Sequence, residues 1–395
     1  MKKKVLLAFS GGLDTSYCAL YLVKERGFEV VAATINTGGF DEIAAIQLQE
    51  KAFSLGASDY KFIDETAHFY EQGIKYLIFG NVLKNNTYPL SVSAERVFQA
   101  MALAYLATEM GVDAIAHGST GAGNDQIRFD LIFQTICPQI EIITPIRDLA
   151  LSREEEISYL QQHGVAGVWE KARYSINEGL WGTSIGGMET LTSNGVLPEE
   201  AFPNQLQETD AEVVDLRFEK GEPVGLNGTI MTPIDVIKHL NEWGGKYAIG
   251  RDVHVGDTII GIKGRVGFEA AGPLMLIKGH HLLEKHTLSK QQLFIKDQMA
   301  AFYGSLMHEG QYLDPVMRNI EAFLSSSQKN VTGTVEIRLA PYRFQLLGIQ
   351  SDFDLMQSAV ANYGETNKAW SGAEVKGFTK IFSNQTKLYY GLKDA

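Results

Sequence analysis

The chain has 395 residues, with 35 Lys+Arg against 47 Asp+Glu, so its formal net charge is −12; that acidic balance argues against a nucleic-acid backbone as the main partner. A composition of 45% hydrophobic and 21% charged residues excludes disorder and fibrous repeats, and the length suits two or three domains. Two cysteines, Cys18 and Cys137, exclude a disulfide framework and a four-thiolate zinc site, and they suit a reducing, cytoplasmic compartment.

The apolar run at residues 5–9 follows three lysines and breaks at once into Ser10-Gly11-Gly12. It reads as a buried strand, not a targeting segment, and no run nears the roughly 18 apolar residues of a membrane span. From about residue 4 to 164, short β-branched runs alternate with longer helical-period runs, the pattern of a parallel sheet covered by helices on both faces. Strands are predicted at 5–9, 30–35, 60–63, 114–117 and 140–143. Helices starting near Thr15, Asp41 and Ser93 close at Gly27, Gly56 and Gly111. Ser152 and Glu155 have capping-box spacing before a last helix ending at Gly164.

Residues 165–210 form a turn-rich crossover with little sustained period. The α+β part beyond it is predicted to hold strands at 212–218 and 224–231 and a helix opened by Thr232-Pro233 and running to about Trp243. A long helix over 290–309 and a hairpin over 331–349 follow. The tail after about Tyr363 has no core of its own, which predicts packing on another subunit. Three parts are therefore expected: 1–165, 166–362 and 363–395.

The string Ala8-Phe9-Ser10-Gly11-Gly12-Leu13-Asp14-Thr15-Ser16 lies between the first strand and the first helix. Such a turn aims unpaired backbone N–H groups and the positive end of the helix dipole at one point, which suits phosphate. Gly11 and Gly12 permit close approach, while the hydroxyls of Ser10, Thr15 and Ser16 can donate to anionic oxygens. Asp14 carries the wrong charge for direct phosphate contact, so it reads as a magnesium ligand or as a helix cap. A second loop, Ala116-His117-Gly118-Ser119-Thr120-Gly121-Ala122-Gly123-Asn124-Asp125-Gln126-Ile127-Arg128, follows another predicted parallel strand, so both can open on one edge of the sheet. There Thr120 can hydrogen-bond a carboxylate, Asn124 can donate and accept, and Arg128 can clamp a carboxylate bidentately.

The first string is neither a Walker A loop nor a dinucleotide fingerprint. It resembles the Ser-Gly-Gly-x-Asp-Ser/Thr-Ser loop of the ATP pyrophosphatase superfamily, whose members hold the pyrophosphate of ATP and cleave between the α and β phosphates. Together with the second loop, Tyr88-Pro89-Leu90-Ser91-Val92-Ser93-Ala94-Glu95-Arg96 and Tyr174-Ser175-Ile176-Asn177-Glu178-Gly179-Leu180-Trp181-Gly182-Thr183-Ser184, it is similar to the argininosuccinate synthase family. The resemblance implies an α/β fold. An adenine nucleotide alpha hydrolase-like nucleotide-binding domain would precede an α+β synthetase domain and a C-terminal oligomerisation arm, in a cytoplasmic homotetramer.

It also implies the chemistry, a citrullyl-adenylate formed from ATP with release of pyrophosphate and then attacked by the aspartate amine. ATP would be held by Ala8 through Ser16, Ile35 and Gly118, and aspartate by Thr120, Asn124 and Asp125. Citrulline would be held by Tyr88, Ser93, Asn124, Arg128, Ser175 and Ser184. Ser10, Asp14 and Asp125 would carry the catalytic roles, with Mg2+ on Asp14.

On the citrulline side the sequence departs from that family. Aligned without gaps on Gly250-Arg251, Lys263, Arg265 and Glu269, the usual glutamate and tyrosine positions hold Gly256 and Phe268, and a lysine of the second loop is Ala122. Either the substrate is an Nα-acylated citrulline, acetyl or succinyl, with room at Gly256, or Asp252, Asp257 or Glu269 replaces the carboxylate, or the loop shifts register. A non-catalytic ATP-binding homologue is a further alternative. An RNA-modifying member of the superfamily is disfavoured by the net charge and by Cys18 falling inside a helix. His280-His281 and His286 read as packing, since no matched metal partners accompany them.

Overall fold

The computed structural model describes residues 2–121, 123–165, 167, 174–357, 359–360, 363–364 and 368–392. The expected departure at Ala122 therefore lies outside the described residues.

In the first part, β1 (Lys4–Ala8), β2 (Glu29–Asn36), β3 (Asp59–Asp64), β4 (Ala114–Ala116) and β5 (Glu141–Ile143) form a parallel sheet in the order β3-β2-β1-β4-β5. The side-chain period of two divides β1 between two cores. Val5 and Leu7 pack toward helices α1 (Leu13–Lys24) and α2 (Glu42–Ser54), and Leu6 packs toward α3 (Ser91–Met110) and α4 (Asp125–Ile136). Helix α5 (Arg153–Gln162) returns to the α1 side, opened by the expected capping box of Ser152 and Glu155. The chain turns one way from β1 through β3 and the other way from β4 to β5, so the loops after β1 and β4 part at the switch point and leave a crevice there.

The second part holds two antiparallel sheets. One, ordered β10-β9-β8-β13-β14, contains β8 (Glu212–Glu219), β9 (Glu222–Leu226), β10 (Thr229–Ile230), β13 (Gly333–Ala340) and β14 (Arg343–Gln350). The single strand expected at 224–231 is thus a hairpin. Asn227 and Gly228, both at positive φ, make its turn, as an Asn-Gly pair between apolar runs allows. The other sheet, ordered β11-β12-β7-β6, joins β11 (Arg251–Asp257) and β12 (Lys263–Glu269) to β7 (Thr183–Gly186) and β6 (Ser175–Asn177), the last two lying inside the stretch read as irregular crossover.

Helices α6 (Pro233–Lys246) and α8 (Lys290–His308) match expectation, while α4, α7 (Ala271–Thr287) and α9 (Pro315–Ser327) lie outside the predicted helices. In the tail, α10 (Gly372–Phe382) and α11 (Asn384–Gly391) bury none of their residues. No described helix is long and apolar enough to cross a membrane.

Candidate active site

The first glycine loop is anchored at its base by backbone and side-chain bonds to β2: Phe9 N–H donates to Ala33 O at 2.8 Å and Thr34 Oγ1 to Phe9 O at 2.7 Å. Gly11 sits at φ +70, a region open to glycine at little cost, and a Cβ there would meet Leu48 Cδ2 of α2 at 2.5 Å. From the same face of α2, Lys51 Nζ donates to Gly11 O at 2.6 Å. Gly12 is the N-cap of α1 and supplies no side-chain cap, so Asp14 lies within the first turn and the helix-cap reading of Asp14 is corrected. Ser10 and Thr15 face each other, Oγ to Oγ1, at 3.3 Å across the loop.

Asp14 faces Glu156 of α5. Burial raises the Asp14 carboxyl above its ordinary range, although a backbone hydrogen bond, the Arg153 charge and a hydrogen bond with Glu156 all act to lower it; burial and the neighbouring Asp14 push Glu156 up to about 8, with Arg153 opposing. Glu156 Oε2 is buried without a hydrogen-bond partner. Arg153 is the one cation among the charges acting on the two acids.

The second loop meets the first. A Cβ on Gly118 would lie 3.1 Å from Asp14, so a larger residue would separate the two loops. His117 Nδ1 accepts from Ser119 N–H at 3.3 Å, which leaves Nε2 as the donor to Asp130 at 2.9 Å, and Asp130 also pairs with Arg147 at 2.7 Å. Asp125, at the start of α4, is bridged by Arg96 Nε at 3.0 Å and by Arg128 Nη1 at 2.7 Å. Burial alone would raise its pKa, but the two guanidinium groups hold it below the usual carboxylate range. Arg128 also donates through Nε to His308 O at 2.9 Å. Its fork is thus taken up by protein, and the expectation of a free bidentate clamp on a substrate carboxylate is corrected. Asn124 Oδ1 accepts from Ile259 N–H at 2.9 Å, which leaves its amide N–H groups toward the cleft.

Both loops open into one cleft with a cavity volume of about 950 Å³. Of the residues expected to bind ATP, Ala8, Phe9, Ser10, Gly12, Leu13, Asp14, Thr15, Ile35 and Gly118 line it, whereas Gly11 faces α2 and Ser16 is buried. The residues expected around aspartate and citrulline also line it, from Thr120, Asn124 and Asp125 to Tyr88, Ser93, Arg128, Ser175 and Ser184. Sequence reasoning missed Arg96, His117, His254 and His308, which share this lining, and Lys51 and Glu156 behind the first loop. Arg96 stood inside a quoted string. His308 ends a helix remote in sequence and carried no local signal.

A family profile described as the arginosuccinate synthase N-terminal HUP domain matches residues 4–166, and one described as the arginosuccinate synthase C-terminal domain matches residues 174–389. The chain is 36% identical to the argininosuccinate synthase of Methanocaldococcus jannaschii, over 98% of each chain. It is 34% identical to those of Dictyoglomus thermophilum and Synechocystis sp., again over 98% of each. The chain belongs to the argininosuccinate synthase family.

Within this family frame the departures are structural. The β11–β12 ladder pairs Arg251 with Glu269 through to Asp257 with Lys263 without a bulge, so the hairpin contains no register shift. Phe268 is fully buried and packs on Tyr88, ring centroids 5.4 Å apart. Gly256 lines the cleft, but its side-chain space is not empty: a Cβ there would meet His254 Nε2 at 2.6 Å and Asn85 Nδ2 at 3.3 Å. The expected room at Gly256 is therefore taken by the His254 imidazole.

Nor do the three candidate carboxylates stand free in its place. Asp252 does not line the cleft, Asp257 pairs with Lys263 at 2.6 Å, and Glu269 binds Arg251 at 3.0 Å beside a separate small cavity. His280, also flagged in the sequence, is fully buried and bonded to Asn81 and Gln328, while His286 pairs with Asp354. Among the described residues no group of three or more His, Cys, Asp or Glu could hold a metal ion.

Proposed function

We propose that the chain is an ATP-dependent C–N ligase that joins citrulline and L-aspartate into argininosuccinate, releasing AMP and pyrophosphate, as the names of its relatives suggest. The observation that carries this reading is the meeting of two glycine loops at Asp14 and Gly118, on the switch-point edge of one parallel sheet, over a cleft shared with a polar second domain.

In the mechanism, loop N–H groups, Ser10 and Thr15 hold the β and γ phosphates while the first turn of α1 faces the developing charge. The citrulline ureido oxygen attacks the α phosphorus, the α–β bridging P–O bond breaks, and pyrophosphate leaves. The aspartate amine then attacks the isourea carbon of the adenylate, the C–O bond to AMP breaks, and the nitrogen loses a proton, leaving the guanidinium of the product. Activation comes from ATP, so the residues have only to align and stabilise.

Ile35 and Gly118 flank the nucleotide. Thr120, Asn124 and Asp125 receive aspartate, the charge of Asp125 fixed by Arg96 and Arg128. Tyr88, Ser93, Asn124, Arg128, Ser175 and Ser184 surround the ureide. Magnesium accompanies ATP and would be held by Asp14 with Glu156, whose buried, unpartnered Oε2 fits a cation; when bound it would neutralise phosphate charge.

The polypeptide divides into a nucleotide-binding part (1–165), a synthetase part (166–362) and a C-terminal arm (363–395). It acts in the cytoplasm as a homotetramer. The arm supports this, since Phe378, Ile381, Phe382 and Leu388 are all exposed in the single chain. Purified protein with ATP, citrulline and aspartate should form one pyrophosphate per product; ADP and inorganic phosphate instead would contradict the reading.

A further inference from the structure

In that ligase the ureido oxygen must reach the phosphate loop, so the α-carbon end of the substrate extends toward the β11–β12 hairpin and the end of α8. The chemistry there is unusual for an amino-acid site. His254 stacks on Tyr88 with ring centroids 5.1 Å apart, covers Gly256, and faces the His308 ring at 6.4 Å. Its Nδ1 is buried and has no hydrogen-bond partner, and both imidazoles line the cleft.

The surrounding charge is positive. Burial and Lys84 lower the His254 pKa, and burial, Arg128 and Lys84 push His308 down to about 3 against the smaller opposing charge of Asp125, so both rings are neutral. No carboxylate is among the charges acting on His254. Of the described carboxylate residues lining the cleft, Asp14 lies at the phosphate loop, Asp125 under two guanidinium groups and Asp257 against Lys263, while Glu178 has its backbone carbonyl against Gly39.

A free α-ammonium beside the His254 ring would meet Lys84 and Arg128, whereas no carboxylate is among the charges acting on that ring, and an unmatched charge in a closed site is costly. An amide at the same position carries no charge and offers both an N–H and a carbonyl to the neutral, unpartnered imidazole that lines the cleft. A carboxylate further along the acyl group would also meet a favourable field.

Resting on the ligase reading, we propose that His254, with His308 and Gly256, makes this end of the cleft a specificity site for an Nα-acylated citrulline, with a dicarboxylic acyl group preferred over a simple one. The reaction class that supplies this substrate is then carbamoylation of an Nα-acylated diamino acid, and a deacylation must follow ligation.

The test is pyrophosphate release by the full-length protein with ATP, aspartate and, in turn, citrulline, Nα-acetylcitrulline and Nα-succinylcitrulline. The expected result is kcat/KM at least about tenfold higher for the acylated substrates. Equal or higher kcat/KM for free citrulline would overturn the proposal while leaving the ligase reading intact. No pyrophosphate with any of the three would overturn the ligase reading, and the proposal with it. As a second readout, His254→Ala combined with Gly256→Glu gives a carboxylate the space of the imidazole and should move the preference toward free citrulline by at least about tenfold; an unmoved ratio, in a variant that still turns over, counts against the assignment.

Discussion

Replacing Lys51 isolates how the phosphate loop is aimed. Lys51 Nζ holds Gly11 O at 2.6 Å, and in a trans peptide the carbonyl and the following N–H point in opposite directions. Fixing Gly11 O against α2 therefore turns the Gly12 N–H away from that helix. Lys51→Met keeps the aliphatic stem beside Leu48 and removes only the ammonium. A hydrogen bond to a charged donor contributes about 1.5–3 kcal/mol, and burial lowers the Lys51 pKa, so its desolvation offsets part of that gain. Taking the lower end, about 1.4 kcal/mol of lost loop order corresponds to a tenfold weaker grip on pyrophosphate.

Titration calorimetry should then give an ATP Kd about tenfold higher for the variant and an AMP Kd within about twofold of the parent, because AMP lacks the phosphates the loop holds. Equal weakening of ATP and AMP, or of neither, would refute the peptide-orienting role.

Three further outcomes are expected. Asp14→Ala should lower the pyrophosphate-forming rate at least about tenfold, corresponding to about 1.4 kcal/mol; an unchanged rate removes Asp14 from the phosphate site. Burial holds the Glu95 pKa at about 8, so its protonated form stabilises the fold fully below its unfolded value and that contribution is lost as pH rises through 8. Glu95→Gln should therefore gain in melting temperature over the parent between pH 5 and pH 9, by several degrees at the upper end, and a pH-independent difference contradicts this. If the proposed tetramer is held by its arm, ending the chain at residue 362 should lower the oligomeric mass found by sedimentation velocity to that of a smaller assembly; an unchanged number of chains argues against the arm as the interface.

The legible parts of the molecule were those in which period and chemistry coincide. Strands β1 and β2 are short apolar runs that feed glycine turns, and the two phosphate-edge loops are contiguous strings. Other elements are masked by their tertiary roles. Helix α7 opens on Ala271-Gly272-Pro273 and carries Gly279, which in isolation disfavour a helix; packing decides, for a Cβ at Gly272 would lie 2.7 Å from Asn241 Oδ1 and 3.1 Å from Ile237 O of α6. The β11–β12 hairpin has glycines at 256, 261, 264 and 267 that blur its alternation. In the site, Arg96 and Arg128 look from sequence like independent cations, whereas in space both bind Asp125. His308 reaches the cleft, and Lys51 the back of the first loop, only through helices that begin far from either loop, so no spacing in the sequence announces them.

The central claim, activation of the ureide through adenylation of its oxygen, is tested most directly by isotope transfer. With the preferred citrulline substrate carrying 18O in its ureido group, mass spectrometry should find the label in the phosphoryl group of AMP, because that oxygen forms the bond to the α phosphorus and leaves with it. Label appearing in pyrophosphate, or absent from AMP while product accumulates, would contradict the account.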